Sequence, residues 1–166
     1  MKPRRGALLA GLAFSILLLD QALKHVLARS LDSDGVTVTS FLRIAMMHNT
    51  GAGFSILQGQ NALLAWLAVM AIGAILLFHD RISTGRETVA VGLLLGGIAG
   101  NLVDRLSTDA VIDFIDFSFF PAFNVADSAL VIGAALLCLA LIRKKDGAYQ
   151  ATGKNASRGE EKKRKE

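Results

Sequence analysis

The chain has 166 residues, of which 52% are hydrophobic and one is a cysteine; this composition is typical of a one-domain membrane protein and excludes a disulfide-stabilised secreted scaffold. The net charge of +4 lies in the tail, because residues 143–166 carry nine Lys or Arg against four Asp or Glu, whereas residues 1–142 sum to −1. Such a tail is typical of a segment attracted to anionic lipid headgroups, and no nucleic-acid partner is expected.

Four apolar runs predict four membrane-spanning helices. Each is close to the roughly 20 residues that cross a bilayer, and together they cover about residues 6–27, 62–78, 88–104 and 122–142. The expected fold class is therefore an all-α integral membrane protein, a four-transmembrane-helix bundle. The first run could instead be a cleaved signal peptide, because it has a basic start and ends in "VLA" at 26–28. The polar residues from Asp20 to His25 argue against that alternative.

The distribution of Lys and Arg predicts the orientation. Three basic residues precede the first run, two lie in segment 79–87 and nine lie in the tail, whereas loops 28–61 and 104–121 carry three against six Asp. Because basic segments stay inside, we expect a multi-pass protein of the cell (inner) membrane with cytoplasmic termini and extracytoplasmic long loops. Residues 1–142 form the predicted membrane domain, and residues 143–166 a disordered cytoplasmic tail.

The two outer loops differ from ordinary linkers. The first contains "GVTVTSFLRIAMMHNTGAGFSIL", rich in β-branched residues, which predicts one or two short strands and then a tight Gly-based turn. The second, "DRLSTDAVIDFIDFSFFPAF", is compatible with a strand or an interfacial helix, and its phenylalanines suit a membrane boundary. We therefore expect a small β-rich extracytoplasmic subdomain beside the bundle.

Three of the predicted helices carry a polar residue at one depth. At 1.5 Å per residue, Asp20, Asn101 and Asp127 lie about 20 to 24 Å from the cytoplasmic edge, just inside the outer boundary. Intramembrane carboxylates are costly without partners, so their agreement in depth predicts a shared polar site. Asp20 and Lys24, spaced i, i+4, can pair. The third run also carries two rows at that spacing: Gly92, Gly96 and Gly100, which permit close helix packing, and Gly97, Asn101 and Arg105.

Several chemistries can be weighed from residue types. His25, His48 and His79 lie in separate segments without metal-ligand spacing, so no metal site is expected. A Ser–Lys dyad of Lys24 with Ser55 or Ser128 is conceivable, although neither serine has a nucleophile context. The remaining feature is a surplus of carboxylates, and two of them held together share one proton and so provide an acid and a base. The candidates are Asp20, Asp104, Asp113, Asp116 and Asp127.

The motifs resemble those of the lipoprotein signal peptidases, the type II signal peptidases. Five blocks occur in family order between residues 19 and 129: "LDQALK", "NTGAGFS", "GGIAGNLVDR", "VIDF" and "FNVADSA". Two departures, Gly53 in place of the frequent alanine and "IA" in place of "AL", touch no charged position.

The resemblance implies a membrane-embedded aspartic endopeptidase without a metal or organic cofactor. Its substrate would be a prolipoprotein whose cysteine carries a diacylglyceryl group, cut just before that cysteine, with membrane lipids as surroundings. The catalytic pair would be Asp113, on a loop that folds down, and Asp127. Positions matching the family's supporting residues are Asp20, Lys24, Asn49, Gly51, Gly97, Asn101, Arg105, Asn124 and Ala126.

Supporting roles follow from the same comparison. Asp20 and Lys24 would brace the first helix against the "NTGAGFS" turn, in which Gly51 and Gly53 allow close approach of a substrate backbone. Asp104, Asp109 and Asp116 are expected to be solvated or salt-bridged in loops.

Two other classes of protein stay open at this point: a small proton or ion transporter, since intramembrane Asp residues serve relays, and a non-enzymatic assembly partner held by its glycine rows.

Overall fold

The computed structural model describes residues 3–52, 56–82 and 84–163, with side chains up to Lys144. Gly53 and Ser55 lie outside the described residues. The elements in chain order are α1 Pro3–Ser30, β1 Val36–Thr39, β2 Leu42–Asn49, α2 Asn61–Phe78 with a short 3₁₀ turn at His79–Arg81, α3 Gly85–Thr108, β3 Val111–Phe117, β4 Phe120–Phe123 and α4 Val125–Lys163.

Four helices in the described chain are long and apolar enough to cross a membrane. This confirms the predicted number of helices, but the bounds of three helices differ by three residues or more. α1 and α3 extend beyond the predicted runs because helical backbone continues through polar residues that hydropathy excludes. α4 begins at Val125 and not at 122, because the preceding residues form β4. Its backbone is helical to Lys163, through most of the tail that was predicted to be disordered.

Helix α3 occupies the centre of the bundle and packs against α1, α2 and α4. Its small residues make this possible. A Cβ added to Gly96 would come within 2.7 Å of the Ala13 carbonyl oxygen on α1, and one added to Gly97 within 2.5 Å of the Ala126 carbonyl oxygen on α4. The two glycine faces predicted from the spacing therefore contact two different helices at backbone distance.

The outer loops form one antiparallel sheet in the order β1-β2-β3-β4. The predicted strands in the first loop are confirmed, and the second loop is strand and not interfacial helix. β2 and β3 pair with Met47 opposite Asp113 and Asn49 opposite Val111. Asp113 was expected on a loop that moves toward the helices; it lies instead on β3, where the ladder to β2 already fixes its position.

Helix α2 is the most weakly covered of the four long helices. Its sequence is almost wholly apolar, yet Leu64 is its only buried residue among those described, and Trp66, Met70 and Leu77 are exposed. An apolar helix exposed to this extent is not a soluble-protein element, because its surface requires an apolar environment. This exposure fits the membrane-protein composition of the sequence.

Candidate active site

The site is built on the start of α4. Asn124 precedes the first helical residue, and its side-chain Oδ1 accepts a hydrogen bond from the Asp127 backbone N–H at 2.8 Å. In return Asp127 Oδ2 accepts from the Asn124 backbone N–H at 3.2 Å. This reciprocal cap satisfies two helix-terminal donors and fixes the Asp127 side chain at the positive end of the helix dipole, where a carboxylate is favoured.

Asn124 also connects the two carboxyl groups that the sequence motifs single out. Its Nδ2 donates to Asp113 Oδ1 at 2.9 Å and to Asn101 Oδ1 at 3.1 Å. Asn101 Nδ2 in turn donates to Asp127 Oδ1 at 2.7 Å. Asn124 is fully buried, so these bonds are shielded from competing water. β3, α3 and α4 thus meet in one hydrogen-bonded arrangement that contains Asp113 and Asp127.

The end of β2 approaches the same point. Asn49 Nδ2 donates to Asp113 Oδ2 at 3.0 Å, and its Oδ1 accepts from the Gly51 N–H at 2.9 Å. Arg105 Nη2 donates to the Gly51 carbonyl at 3.0 Å. Arg105 therefore holds the turn after β2, a contact that the spacing of α3 alone could not specify.

The Asp113 side chain is nearly withdrawn from solvent, with 2% of the residue exposed. Burial, followed by the negative charge of Asp127, raises the pKa of Asp113 from 3.8 to about 7; the Asn49 hydrogen bond and the Lys24 cation act in the opposite direction. Below about pH 7 the Asp113 carboxyl therefore keeps its proton beside the carboxyl of Asp127. An acid and a base are present together at one site.

A second polar cluster lies beneath this site, consisting of Asp20, Lys24 and Asp104. Lys24 Nζ lies 2.6 Å from an oxygen of each carboxylate, and all three residues are buried. The i, i+4 pair is confirmed. Asp104 was expected to be solvated or salt-bridged in a loop; it is salt-bridged, but it lies on α3 and is buried. The expected brace to the "NTGAGFS" turn stays a prediction, because residues 53–55 of that turn lie outside the described residues. Asp20 accepts from the Ala126 N–H of α4 at 3.0 Å.

The remaining predicted residues serve as packing and contact points. Ala126 is fully buried, and its carbonyl faces Gly97. Asp109 caps the end of α3 in a left-handed conformation and accepts from Asn61 Nδ2 at 3.2 Å, while the exposed pair of Asp116 with Arg43 joins β3 to β2. Sequence reasoning missed Gln21, whose Nε2 donates to Asp104 Oδ1 at 2.8 Å.

A cavity of about 1020 Å³ opens beside the two carboxyl groups. Its polar wall is formed by Asn49, Gly51, Asn101, Arg105, Asp113 and Asp127. The opposite walls are apolar, and Leu67 of α2 and Val131 and Ile132 of α4 both line the cavity and are exposed on the bundle surface. The cavity therefore joins the carboxyl pair to an apolar opening between α2 and α4.

Two alternative chemistries find no support in the described residues. Within that part of the chain, no group of three or more His, Cys, Asp or Glu side chains is arranged to hold a metal ion. Lys24 lies between two carboxylates, and Ser128 Oγ donates to the Asn124 carbonyl at 3.0 Å, so these two do not form a dyad. Ser55 is outside the described residues.

This arrangement of four helices and a small sheet is that of a known class of bacterial membrane enzymes. One such enzyme, with a structure obtained in meso at 2.3 Å, superposes with a TM-score of 0.75 at 30% identity, covering 82% of this chain and 88% of the other. A second, at 1.9 Å, gives a TM-score of 0.69 at 33% identity over 78% and 89%.

The family follows from the sequence match. The model of the family Signal peptidase (SPase) II matches residues 12–143, and the chain belongs to that family. The lipoprotein signal peptidase of Halothermothrix orenii is 36% identical over 129 residues, 76% of this chain and 89% of the relative. That of Cupriavidus taiwanensis is 39% identical over 145 residues, 80% and 82% respectively. The resemblance drawn from the five motifs is confirmed.

Proposed function

We propose that this protein is a membrane-embedded aspartic endopeptidase that removes the signal peptide from lipid-modified prolipoproteins. The catalytic pair is Asp113 and Asp127, and the bond cut precedes the cysteine that carries the diacylglyceryl group. The observation that carries the proposal is the position of the two carboxyl groups, which face one cavity and are joined through Asn124: its Nδ2 donates to Asp113 and its backbone N–H to Asp127. Family membership supports the substrate class.

The shared proton provides the chemistry of amide hydrolysis. The ionised carboxyl accepts a proton from a water molecule, and the water oxygen attacks the scissile carbonyl carbon. The protonated carboxyl donates its proton to the carbonyl oxygen. The tetrahedral intermediate then collapses: the carboxyl that took the proton from water gives it to the leaving nitrogen, and a hydroxyl of the intermediate returns a proton to the other carboxylate as the C–N bond breaks. The products are a carboxylic acid and an amine, so one water is consumed and the pair recovers its single proton.

The polar neighbours hold these groups in place without reacting. Asn49 and Asn124 each donate to Asp113, and Asn101 donates to Asp127. Such fixed donors spare reorganisation during the reaction and limit the orientations of both carboxyls. Arg105 holds the Gly51 carbonyl, which keeps the turn after β2 at the cavity edge.

The apolar opening suits a lipid-bearing substrate. A diacylglyceryl group is held at the headgroup level of a bilayer, and its chains can lie against Leu67, Val131 and Ile132 while the peptide crosses the polar wall. Catalytic carboxyls deeper in the hydrocarbon would lack water, and carboxyls farther outside would not reach the anchored bond. The boundary position of Asp127 at the start of α4 satisfies both requirements.

The same proposal includes the arrangement in the membrane. The four helices span the inner membrane with both termini in the cytoplasm, and the sheet and the catalytic pair face the extracytoplasmic side. The support is the excess of Lys and Arg in the terminal segments over that in the loops 28–61 and 104–121. Membrane lipids then surround α2, whose apolar surface is largely exposed.

The test is cleavage by the purified protein in detergent. A prolipoprotein precursor is supplied with and without its diacylglyceryl group, and products are identified by mass spectrometry. We expect cleavage of the lipidated precursor alone, leaving the lipidated cysteine as the new N-terminus. Asp113→Asn and Asp127→Asn are expected to abolish it. A folded wild-type protein that cleaves neither precursor, or folded variants that still cleave, would refute the proposal.

A further inference from the structure

The two carboxylates of the second polar cluster, Asp20 and Asp104, are hydrogen-bonded to the backbone just before each residue of the catalytic pair. Asp104 Oδ2 accepts a hydrogen bond from the backbone N–H of Ile112 at 3.0 Å, and Ile112 directly precedes Asp113. Asp20 Oδ1 accepts from the backbone N–H of Ala126 at 3.0 Å, and Ala126 directly precedes Asp127. Each proposed catalytic residue is thus preceded by a peptide group anchored to a carboxylate on another element.

Lys24 joins these two anchors. Its Nζ lies 2.6 Å from Asp20 Oδ2 and 2.6 Å from Asp104 Oδ2. Gln21 Nε2 donates to Asp104 Oδ1 at 2.8 Å and to the Gly100 carbonyl at 3.2 Å, which ties α1 to α3 at the same level. One ammonium group therefore fixes the separation of the two carboxylates, and through them the separation of two backbone segments.

Burying the three charged groups of this cluster costs free energy. Two carboxylates and one ammonium leave a formal charge of −1, and the exposed fractions of Asp20, Lys24 and Asp104 are 0%, 3% and 2%. Buried ionic groups often stabilise a fold less than apolar residues of the same volume would. Stability alone therefore does not account for the cluster, whereas orientation of backbone groups does.

Ile112, the residue before Asp113, is held through both its backbone N–H and its carbonyl. While Asp104 accepts from the Ile112 N–H, Asn124 Nδ2 donates to the Ile112 carbonyl at 3.2 Å. The strand is therefore fixed relative to α3 and to the start of α4, the two elements that position Asp127. A loss of either anchor would let the carboxyls move relative to each other without unfolding the sheet.

We propose that Asp104 and Asp20, linked by Lys24, are positioning residues that set the relative placement of Asp113 and Asp127 through the backbone N–H groups of Ile112 and Ala126. The proposal rests on the proposed peptidase function. Neither carboxylate of the cluster touches the substrate. Their effect is on the rate of the chemical step, since reacting groups misplaced by about 1 Å lose about 100-fold in rate.

The test compares two uncharged replacements of similar size, Asp104→Asn and Asp104→Leu. Asparagine keeps an oxygen that can accept from the Ile112 N–H, and leucine does not. We expect Asp104→Asn to keep about one third or more of the wild-type kcat and Asp104→Leu to lose about 30- to 100-fold, with KM for the lipidated precursor within about threefold in both. The control is Asp116→Asn, a carboxylate on β3 paired with exposed Arg43, which should leave kcat unchanged.

Folding of each variant is checked by its thermal transition in detergent. A folded Asp104→Leu with wild-type kcat overturns the inference. A folded Asp104→Asn that is as slow as the leucine variant also overturns it, because the charge of Asp104 and not its bond to the Ile112 N–H would then matter. Should Asp104→Leu not fold, Asp20→Asn and Asp20→Leu make the same comparison at Ala126, with the same two readings. Asp113→Asn is assayed alongside: if it remains active, the peptidase function itself fails.

Discussion

Replacement of Asp113 by Asn should make the protein gain stability relative to the wild type as pH rises from 4 to 8. Burial and the charge of Asp127 raise the pKa of Asp113 from 3.8 to about 7, so the folded state binds the proton more tightly than the unfolded chain. The stability from this proton is complete below pH ~4 and is lost as pH rises to ~7. Three pKa units correspond to at most about 4 kcal/mol. Since the proton is shared with Asp127, we expect about 1–3 kcal/mol.

The assay is the thermal transition of the wild type and Asp113→Asn in detergent between pH 4 and pH 8. At about 2 kcal/mol, the melting temperature of the variant should gain about 4–8 °C relative to the wild type across this range. Any constant cost of replacing the carboxyl leaves this pH dependence unchanged. Asp116→Asn, the matched control on β3, should show no such gain. A difference between variant and wild type that does not change with pH would refute the raised pKa of Asp113.

Two further predictions concern packing and the cap of α4. Gly97→Ala should lower both the melting temperature and the activity, because the added Cβ would come within 2.5 Å of the Ala126 carbonyl oxygen. The control is Gly73→Ala on α2, where nothing lies within 4 Å of an added Cβ. This variant should melt and cleave as the wild type does. Asn124→Ala removes the side-chain donor to Asp113 and the link through Asn101 to Asp127. It should lower kcat by about 100-fold with KM little changed, since a fixed donor at a reacting centre is worth about that much. An effect confined to KM would contradict the role given to the Asn124 side chain.

Much of the site follows from sequence because helix geometry is regular. The i, i+4 spacing fixes the pair of Asp20 and Lys24, and a rise of 1.5 Å per residue places Asp20, Asn101 and Asp127 at one level. In the structure Asn101 donates to Asp127, and Asp20 accepts from the N–H of Ala126. The Asn101 and Asp127 side chains therefore meet as their depths predicted, whereas Asp20 belongs to the cluster beneath and contacts this level only at the Ala126 backbone.

The errors arise where long-range contacts decide. Asp104 was placed in a loop because a charged residue ends an apolar run, yet α3 continues to Thr108, and its partner Lys24 is 80 residues distant in sequence. No local pattern indicates such a partner. Asp113 was expected on a loop that folds down, again because its partner strand is distant in sequence. Its position on β3 depends on pairing with residues 42–49 of β2.

The pH dependence of kcat on the lipidated precursor tests most directly whether Asp113 and Asp127 act as a pair that shares one proton. With the pKa of Asp113 raised to about 7 by burial and by the charge of Asp127, the rate should fall as pH rises beyond about 7, because the pair loses its proton. A rate that climbs to a plateau above pH ~9 in a folded protein would show that no such proton is needed, and the account would be contradicted.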